Sequence, residues 1–446
     1  MEKRHWVLLI SVLSCLLLVL LSTALSGESA AAAIPNGRAG TITAGTADGS
    51  EMWGYVAVRP KANVFWWYYK SPETVSSSAK PWPTVLWLQG GPGGSGVGRG
   101  NFQEVGMLDT NLNPRNFTWL SKADLIFVGD TEAVADAIEL LKALAGDIPM
   151  LPSSPLFLVG ESYGGKHAAM IGVSVVKSIN AGELNITLGG VVIGDGWISP
   201  GDFALSYPWS LSAVSRLDDN AVGKAIGMAV KVKQLMEVEQ FTAAYRAWVD
   251  LLDLISIKSG GVNIENFMID NNMGQLKSDL AERHLSSGSN NNLQASSSSS
   301  NTIDGIMNGI IKKKLKIIPE DLVWQSASLK VDELLSLGVN VTIYNGQVNK
   351  KYSYCLRIYS LDIICSTIGA EAWVRKLKWS GLHDFLIMPR SPLHFCHPYY
   401  LTNAFVRSYK NLNFYWVLGA GHMVPVDQPC TALHIIGSVT QSPADI

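Results

Sequence analysis

Pro155-Leu156-Phe157-Leu158-Val159-Gly160-Glu161-Ser162-Tyr163-Gly164-Gly165 is the stretch that decides how this chain folds. Its apolar start suits a strand buried on both faces of a parallel sheet. The strand runs into a G-x-S-x-G pentapeptide, and Ala168–Ile179 has the character of a helix. Strand, glycine-flanked serine and helix together describe a nucleophile elbow, a tight turn that lifts a hydroxyl above the end of a sheet. The pentapeptide alone is a weak signal, since a chance match in a Gly- and Ser-rich chain has odds of roughly one in three. The flanking elements supply the specificity.

Outward from the elbow the rhythm repeats. Thr84–Leu88, Asp124–Val128, Gly190–Ile193, Val339–Tyr344 and Phe414–Leu418 are short apolar runs, and Ala133–Ala145 is amphipathic. Strands alternating with helices predict an α/β fold with a mostly parallel, doubly wound sheet. Trp53–Val58 and Val64–Tyr69 read as further strands around the turn-like Arg59–Asn63. From about Pro200 to Pro319 the pattern turns helical, with Ala221–Met236 and Gln240–Ile255 followed by the Ser- and Asn-dominated tract Ser286–Ser300. That segment reads as an inserted cap containing a flexible excursion.

The chain has 446 residues, of which 47% are hydrophobic and 16% charged, with a formal charge of −2. Such a composition excludes a mainly disordered chain, and it lacks the basic footprint of a nucleic-acid binder. Lys3 and Arg4 precede the uncharged run Trp6–Leu21 and the small residues Ser22-Thr23-Ala24. This is the plan of a signal peptide over residues 1–24, ahead of a domain spanning 34–446, with no stable membrane insertion after cleavage. A secreted or vacuolar/lysosomal destination makes the sequons at Asn116, Asn185 and Asn340 meaningful glycosylation candidates. Cys15 lies in the leader, so Cys355, Cys365, Cys396 and Cys430 remain, and four cysteines allow three pairings. No zinc-type spacing occurs, and neither a metal nor a cofactor is expected.

A serine nucleophile needs a base, and the base an orienting carboxylate. His422 follows the strand Phe414–Leu418 in Gly419-Ala-Gly-His-Met-Val-Pro425, where the order serine, acid, histidine expects the base. The acid should follow Val339–Tyr344. Asn349 is near but uncharged, and Asp362 is the nearest carboxylate. Gln89-Gly-Gly-Pro-Gly-Gly94 ends a strand that should neighbour the elbow, so its backbone N–H groups and that of Tyr163 can meet an oxyanion.

Four ordered motifs, Trp87–Ser95, Gly160–Gly165, Tyr344-Asn-Gly-Gln347 and Gly419–Pro425, resemble the serine carboxypeptidase family over about Trp53 to Ser442. The plant serine carboxypeptidase-like and retinoid-inducible branch is the most similar. The resemblance implies an α/β-hydrolase with a helical cap that removes C-terminal residues from peptides or proteins at acidic pH. It implies Ser162 as nucleophile, His422 as base and then acid, Asp362 as orienting carboxylate, and Gly91 and Tyr163 as oxyanion donors. Glu104 and Glu161 would be paired carboxyls holding the substrate's terminal carboxylate, with Gln89 and Gly90 beside them and Met423 lining the leaving-residue pocket. Cys365–Cys430 is the expected disulfide, joining the loops of Asp362 and His422.

Three segments depart from that pattern. Gly129-Asp-Thr-Glu132 replaces a cleft-lining loop, a helix-bearing piece is missing around Gln325–Lys330, and Val348–Ser360 is an added stretch before Asp362. They make a non-catalytic isoform one alternative reading; an acyltransferase of the same fold, in which an alcohol instead of water resolves the acyl-enzyme, is the other.

Overall fold

The computed structural model describes residues 42–74, 81–129, 134–271, 325–347, 361–396, 398 and 400–443. The expected leader, the Ser/Asn tract, residues 130–133 and the added stretch 348–360 lie outside them. The first strands are β1 (Ile42–Gly45), β2 (Glu51–Arg59), β3 (Ala62–Tyr69) and β4 (Thr84–Leu88). β5 (Asp124–Val128), β6 (Pro155–Glu161), β7 (Thr187–Gly194) and β8 (Val341–Gln347) follow. β9 (Ser391–Leu393), β10 (Ala404–Tyr409) and β11 (Leu412–Leu418) complete one sheet, ordered β1-β2-β3-β5-β4-β6-β7-β8-β11-β10-β9.

From β5 to β11 through β4, β6, β7 and β8 every pairing is parallel. Antiparallel strands extend both edges, β1 to β3 on one side and β9 and β10 on the other. The buried runs alternate as a strand's period of two requires. Val85, Trp87, Leu125, Phe127, Phe157 and Val159 pack on one face, and Leu86, Leu88, Ile126, Val128, Leu156 and Leu158 on the other. Both faces are covered, which explains why these strands read as continuous apolar runs.

Helices α1 (Val134–Asp147) and α2 (Tyr163–Asn180) bury Leu140, Leu144, Ile171 and Val175 against the second face. After β7 come α3 (Pro200–Ala213), α4 (Asp219–Glu237) and α5 (Phe241–Ser259), the described part of the expected cap. Asp218 caps α4 by accepting from the Ala221 amide at 2.7 Å, and Gly260 ends α5 with a left-handed φ of 77°. α6 (Ser328–Ser336) leads into β8, α7 (Thr367–Val374) and α8 (Leu382–Ile387) lie between β8 and β9, and α9 (Val424–Asp427) and α10 (Pro429–Thr440) follow β11.

The parallel register brings the carboxyl ends of β4, β6, β7 and β8 together: Leu88 pairs with Gly160, Glu161 with Gly194, and Gly194 with Tyr344. Loops leaving such strand ends share one rim, where open α/β sheets place their chemistry.

Candidate active site

Ser162 occupies that rim between β6 and α2, with φ 58° and ψ −126°. Positive φ is uncommon for a residue bearing Cβ, and a hydroxyl held in such a turn is strained but partly exposed. The flanking glycines permit it: a Cβ on Gly164 would lie 2.0 Å from the Leu88 carbonyl oxygen, so only hydrogen fits where α2 crosses β4. Gly90 presses closest, since a Cβ there would come within 2.6 Å of Ser162 Cβ. The Tyr163 N–H lies in the first turn of an 18-residue helix, where amides lack intrahelical acceptors and the helix dipole favours negative charge. Gly91 has φ 130° and is exposed, a backbone open to a reacting carbonyl.

His422 and Asp362 meet. Their Nδ1 and Oδ2 atoms are 2.9 Å apart, with both side chains buried. The contact makes Nδ1 the donor and leaves Nε2 as the nitrogen able to take a proton. Asp362 Oδ1 accepts from the Cys365 amide at 3.0 Å, so each of its oxygens is held. Burial alone would depress the His422 pKa. The Asp362 charge and hydrogen bond, with Glu265 adding, outweigh it and raise the value.

A strap that follows α5 holds both residues. The Glu265 carbonyl accepts from the His422 amide at 2.8 Å, and the Ile264 carbonyl accepts from Ile363 at 2.9 Å and Ile364 at 3.1 Å. Phe267 donates to the Leu361 carbonyl at 3.1 Å, and Arg216 anchors the strap through the Phe267 carbonyl at 2.7 Å and Asp270 at 2.8 Å.

Beside the serine, Gln89 Nε2 donates to Glu104 Oε1 at 2.9 Å, and Trp87 Nε1 donates to Gln89 Oε1 at 2.8 Å. Trp87 thereby fixes the amide so that its nitrogen faces the acid. Glu104 sits on the π-helix Gly96–Val105. Glu161 is fully buried and faces Glu104. Burial first, then the Glu104 charge and hydrogen bond, then Asp195, push its carboxyl well above the usual range. Glu161 therefore holds its proton beyond the pH at which a free carboxyl would lose it. Arg99 reaches both Met423, through Nη2 to Sδ at 2.8 Å, and Glu104, at 3.9 Å.

One expectation is corrected. Cys430 pairs with Cys396, Cα to Cα 6.1 Å, whereas Cys365 is a free, buried thiol. Cys365 stands beside Asp362 ahead of α7, in the interior of the site. Cys430 opens α10 at the sheet edge, where the chain leaving β9 carries Cys396 to it. Asp195, Asn345, Arg99 and the Asn263–Phe267 strap escaped the sequence reading. For Asp195 a signal existed: a carboxylate in Gly194-Asp-Gly196 directly after a buried strand.

Glu161 and Asp195 hold protons more tightly folded than unfolded, so they favour folding below the ordinary carboxylate range and lose that contribution as pH rises through their raised values. His167, pushed down to about 4 by burial and then by Lys166, acts in the opposite sense up to its ordinary value. With Asp124, raised chiefly by burial, three acids against one imidazole leave a net decline. Calorimetry between about pH 5 and pH 7 should show the melting temperature falling, at about 1.4 kcal/mol per pH unit for each net proton. Glu161→Gln should flatten the slope.

The serine carboxypeptidase family profile matches residues 42–442. Serine carboxypeptidase-like 51 of Arabidopsis thaliana is 47% identical, over 92% of this chain and 96% of that protein. The retinoid-inducible serine carboxypeptidase of Rattus norvegicus is 38% identical, over 88% of this chain and 92% of its own. Among solved structures, a prohormone-processing carboxypeptidase from Saccharomyces cerevisiae superposes with a TM-score of 0.64 at 18% identity, covering 88% of this chain and 91% of that one. That likeness speaks for the α/β-hydrolase fold.

Proposed function

We propose that this chain, which belongs to the serine carboxypeptidase family, hydrolyses the last peptide bond of peptides or proteins through an acyl-enzyme on Ser162. His422 Nε2 takes the Ser162 proton as Oγ attacks the scissile carbonyl, and returns it to the amine of the departing residue. Asp362 steadies the imidazolium formed between those steps. The Gly91 and Tyr163 N–H groups receive the oxyanion, and water then repeats the attack to free the shortened peptide.

The observation that carries the reading is the buried acid pair with its fixed amide. A Glu104–Glu161 pair holding one proton, with Gln89 Nε2 aimed at it, offers neutral donors to a third carboxylate, which is the mark of a free C-terminus. An alcohol attacking an acyl ester has no such group to bind, so peptide hydrolysis is favoured over acyl transfer. Met423 and the aliphatic stem of Arg99 line the space for the departing side chain. The described helices of residues 200–259 read as the cap over this rim.

Matched peptides with free and amidated C-termini test the proposal. Only the first should lose its terminal residue efficiently, with amidation lowering kcat/KM on the order of 10²-fold. Equal cleavage of both would remove the exopeptidase reading. As pH rises through the raised Glu161 value, Glu161 becomes charged and repels the substrate carboxylate, so kcat/KM falls. Glu161→Gln keeps a neutral donor and should move that alkaline limb upward in a kcat/KM profile, while the acid limb, set by His422, stays in place.

Passage through the secretory pathway is part of the same reading. Asn116, Asn185 and Asn340 are exposed, and a disulfide joins Cys396 to Cys430. Among the described residues no helix is long and apolar enough to cross a membrane. An endoglycosidase shift lost on changing all three asparagines to glutamine would support glycosylation.

A further inference from the structure

Asp195 is a titratable group at this rim that the proposed mechanism leaves unused. It follows β7 in a positive-φ conformation (φ 40°) and is completely buried. Its amide donates to the Tyr344 carbonyl at 2.8 Å, which locks it to β8. Its Oδ1 accepts from Gly346 N at 3.0 Å and Asn345 Nδ2 at 3.1 Å. Its Oδ2 meets no N–H among the described residues, yet the carboxyl lies within hydrogen-bond reach of Asp362. Asn345 Nδ2 also donates to the Cys365 carbonyl at 2.9 Å, so the same amide ties Asp195 to the loop that presents Asp362.

Two carboxyl groups face each other here with no donor between them except a proton. The other titratable groups turned toward the pair are Glu161 from β6, Tyr344 from β8, Tyr207 from α3, Cys365, His422 and, beyond it, Glu265. Burial holds the Tyr344 and Tyr207 hydroxyls and the Cys365 thiol protonated, so none adds a charge. His422 can carry a positive charge, and the Asp362 carboxylate already meets it at 2.9 Å. A second negative charge at Asp195 would have no partner.

We propose that Asp195 is a positioning residue of the hydrolytic centre: as a neutral carboxylic acid it donates its proton to Asp362 and holds that carboxylate toward His422. The assignment rests on the Ser162–His422–Asp362 reading above. Asp362 then receives three donors, from Cys365 N, His422 Nδ1 and Asp195, a set that fixes its orientation. No proton leaves Asp195 during turnover.

The rate of fluorophosphonate labelling at Ser162, followed against pH, tests this without any need to bind a substrate carboxylate. Asp195→Asn preserves both acceptor contacts through its amide oxygen and presents a donor at every pH. It should label within about threefold of wild type under acidic conditions and carry that rate to higher pH. Asp195→Ala should label at least about thirtyfold more slowly and lower kcat without raising KM. If labelling of Asp195→Asn falls as far as that of Asp195→Ala, the acid acts through its charge and the proposal is overturned. Wild-type labelling by Asp195→Ala overturns it as well. Should the alanine variant fail to fold, the asparagine variant decides alone, since an unshifted alkaline limb contradicts a donating acid. A wild-type protein that does not label at all removes the hydrolytic reading, and this role with it. Labelling without release of C-terminal residues removes only the exopeptidase reading.

Discussion

Replacing Asp362 with asparagine is expected to lower kcat on the order of 10⁴-fold with little change in KM. The two oxygens of Asp362 serve different partners: Oδ1 accepts the buried Cys365 N–H, and Oδ2 meets His422 Nδ1. An asparagine has one oxygen, and leaving the Cys365 amide unpaired in the interior is costly. The oxygen therefore stays with Cys365, and the amide nitrogen turns to His422. A donor there forces the proton of His422 onto Nε2, the atom that must accept from Ser162, and no charge remains to steady an imidazolium. Steady-state kinetics on a folded variant check this. A loss below about tenfold would move the carboxylate role away from Asp362.

Ser162→Ala should be the most severe change, reducing kcat on the order of 10⁶-fold and abolishing fluorophosphonate labelling. It should leave the melting temperature nearly unchanged. Alanine keeps the Cβ that Gly90 packs against and inherits the same backbone at φ 58°, so strain neither enters nor leaves. Intact-mass measurement after labelling, with the alanine variant as control, separates loss of the nucleophile from loss of the fold. Continued labelling of the variant at another residue would mean that Ser162 is not the reactive hydroxyl.

The strands were legible because of their chemistry. Residues 85–88, 125–128 and 155–159 are apolar throughout, as strands buried on both faces must be, and each strand appears where the apolar run predicted. The edges were harder. β1, β9 and β10 are short or amphipathic, and only pairing with a neighbour makes them strands. Among site residues, Ser162 announces itself through a turn whose glycines have a steric cause, and His422 through its place after the last parallel strand. Asp362 required the sheet, because its 2.9 Å contact with His422 spans 60 residues of chain. The cysteines show the limit most plainly. Sequence left three pairings open, and the expected Cys365–Cys430 bond gave way to Cys396–Cys430 because α10 begins beside the β9 edge.

By itself the sequence determined the fold class, the elbow and its serine, and the late histidine, since these depend on hydrophobic period and on glycines whose missing side chains are needed locally. The tertiary structure decided which acids meet. Glu161 beside Glu104, and Asp195 beside Asp362, are distant in the chain and become neighbours where parallel strands end on one rim. Their protonation follows from burial and mutual charge, which exist only once the sheet has brought them together.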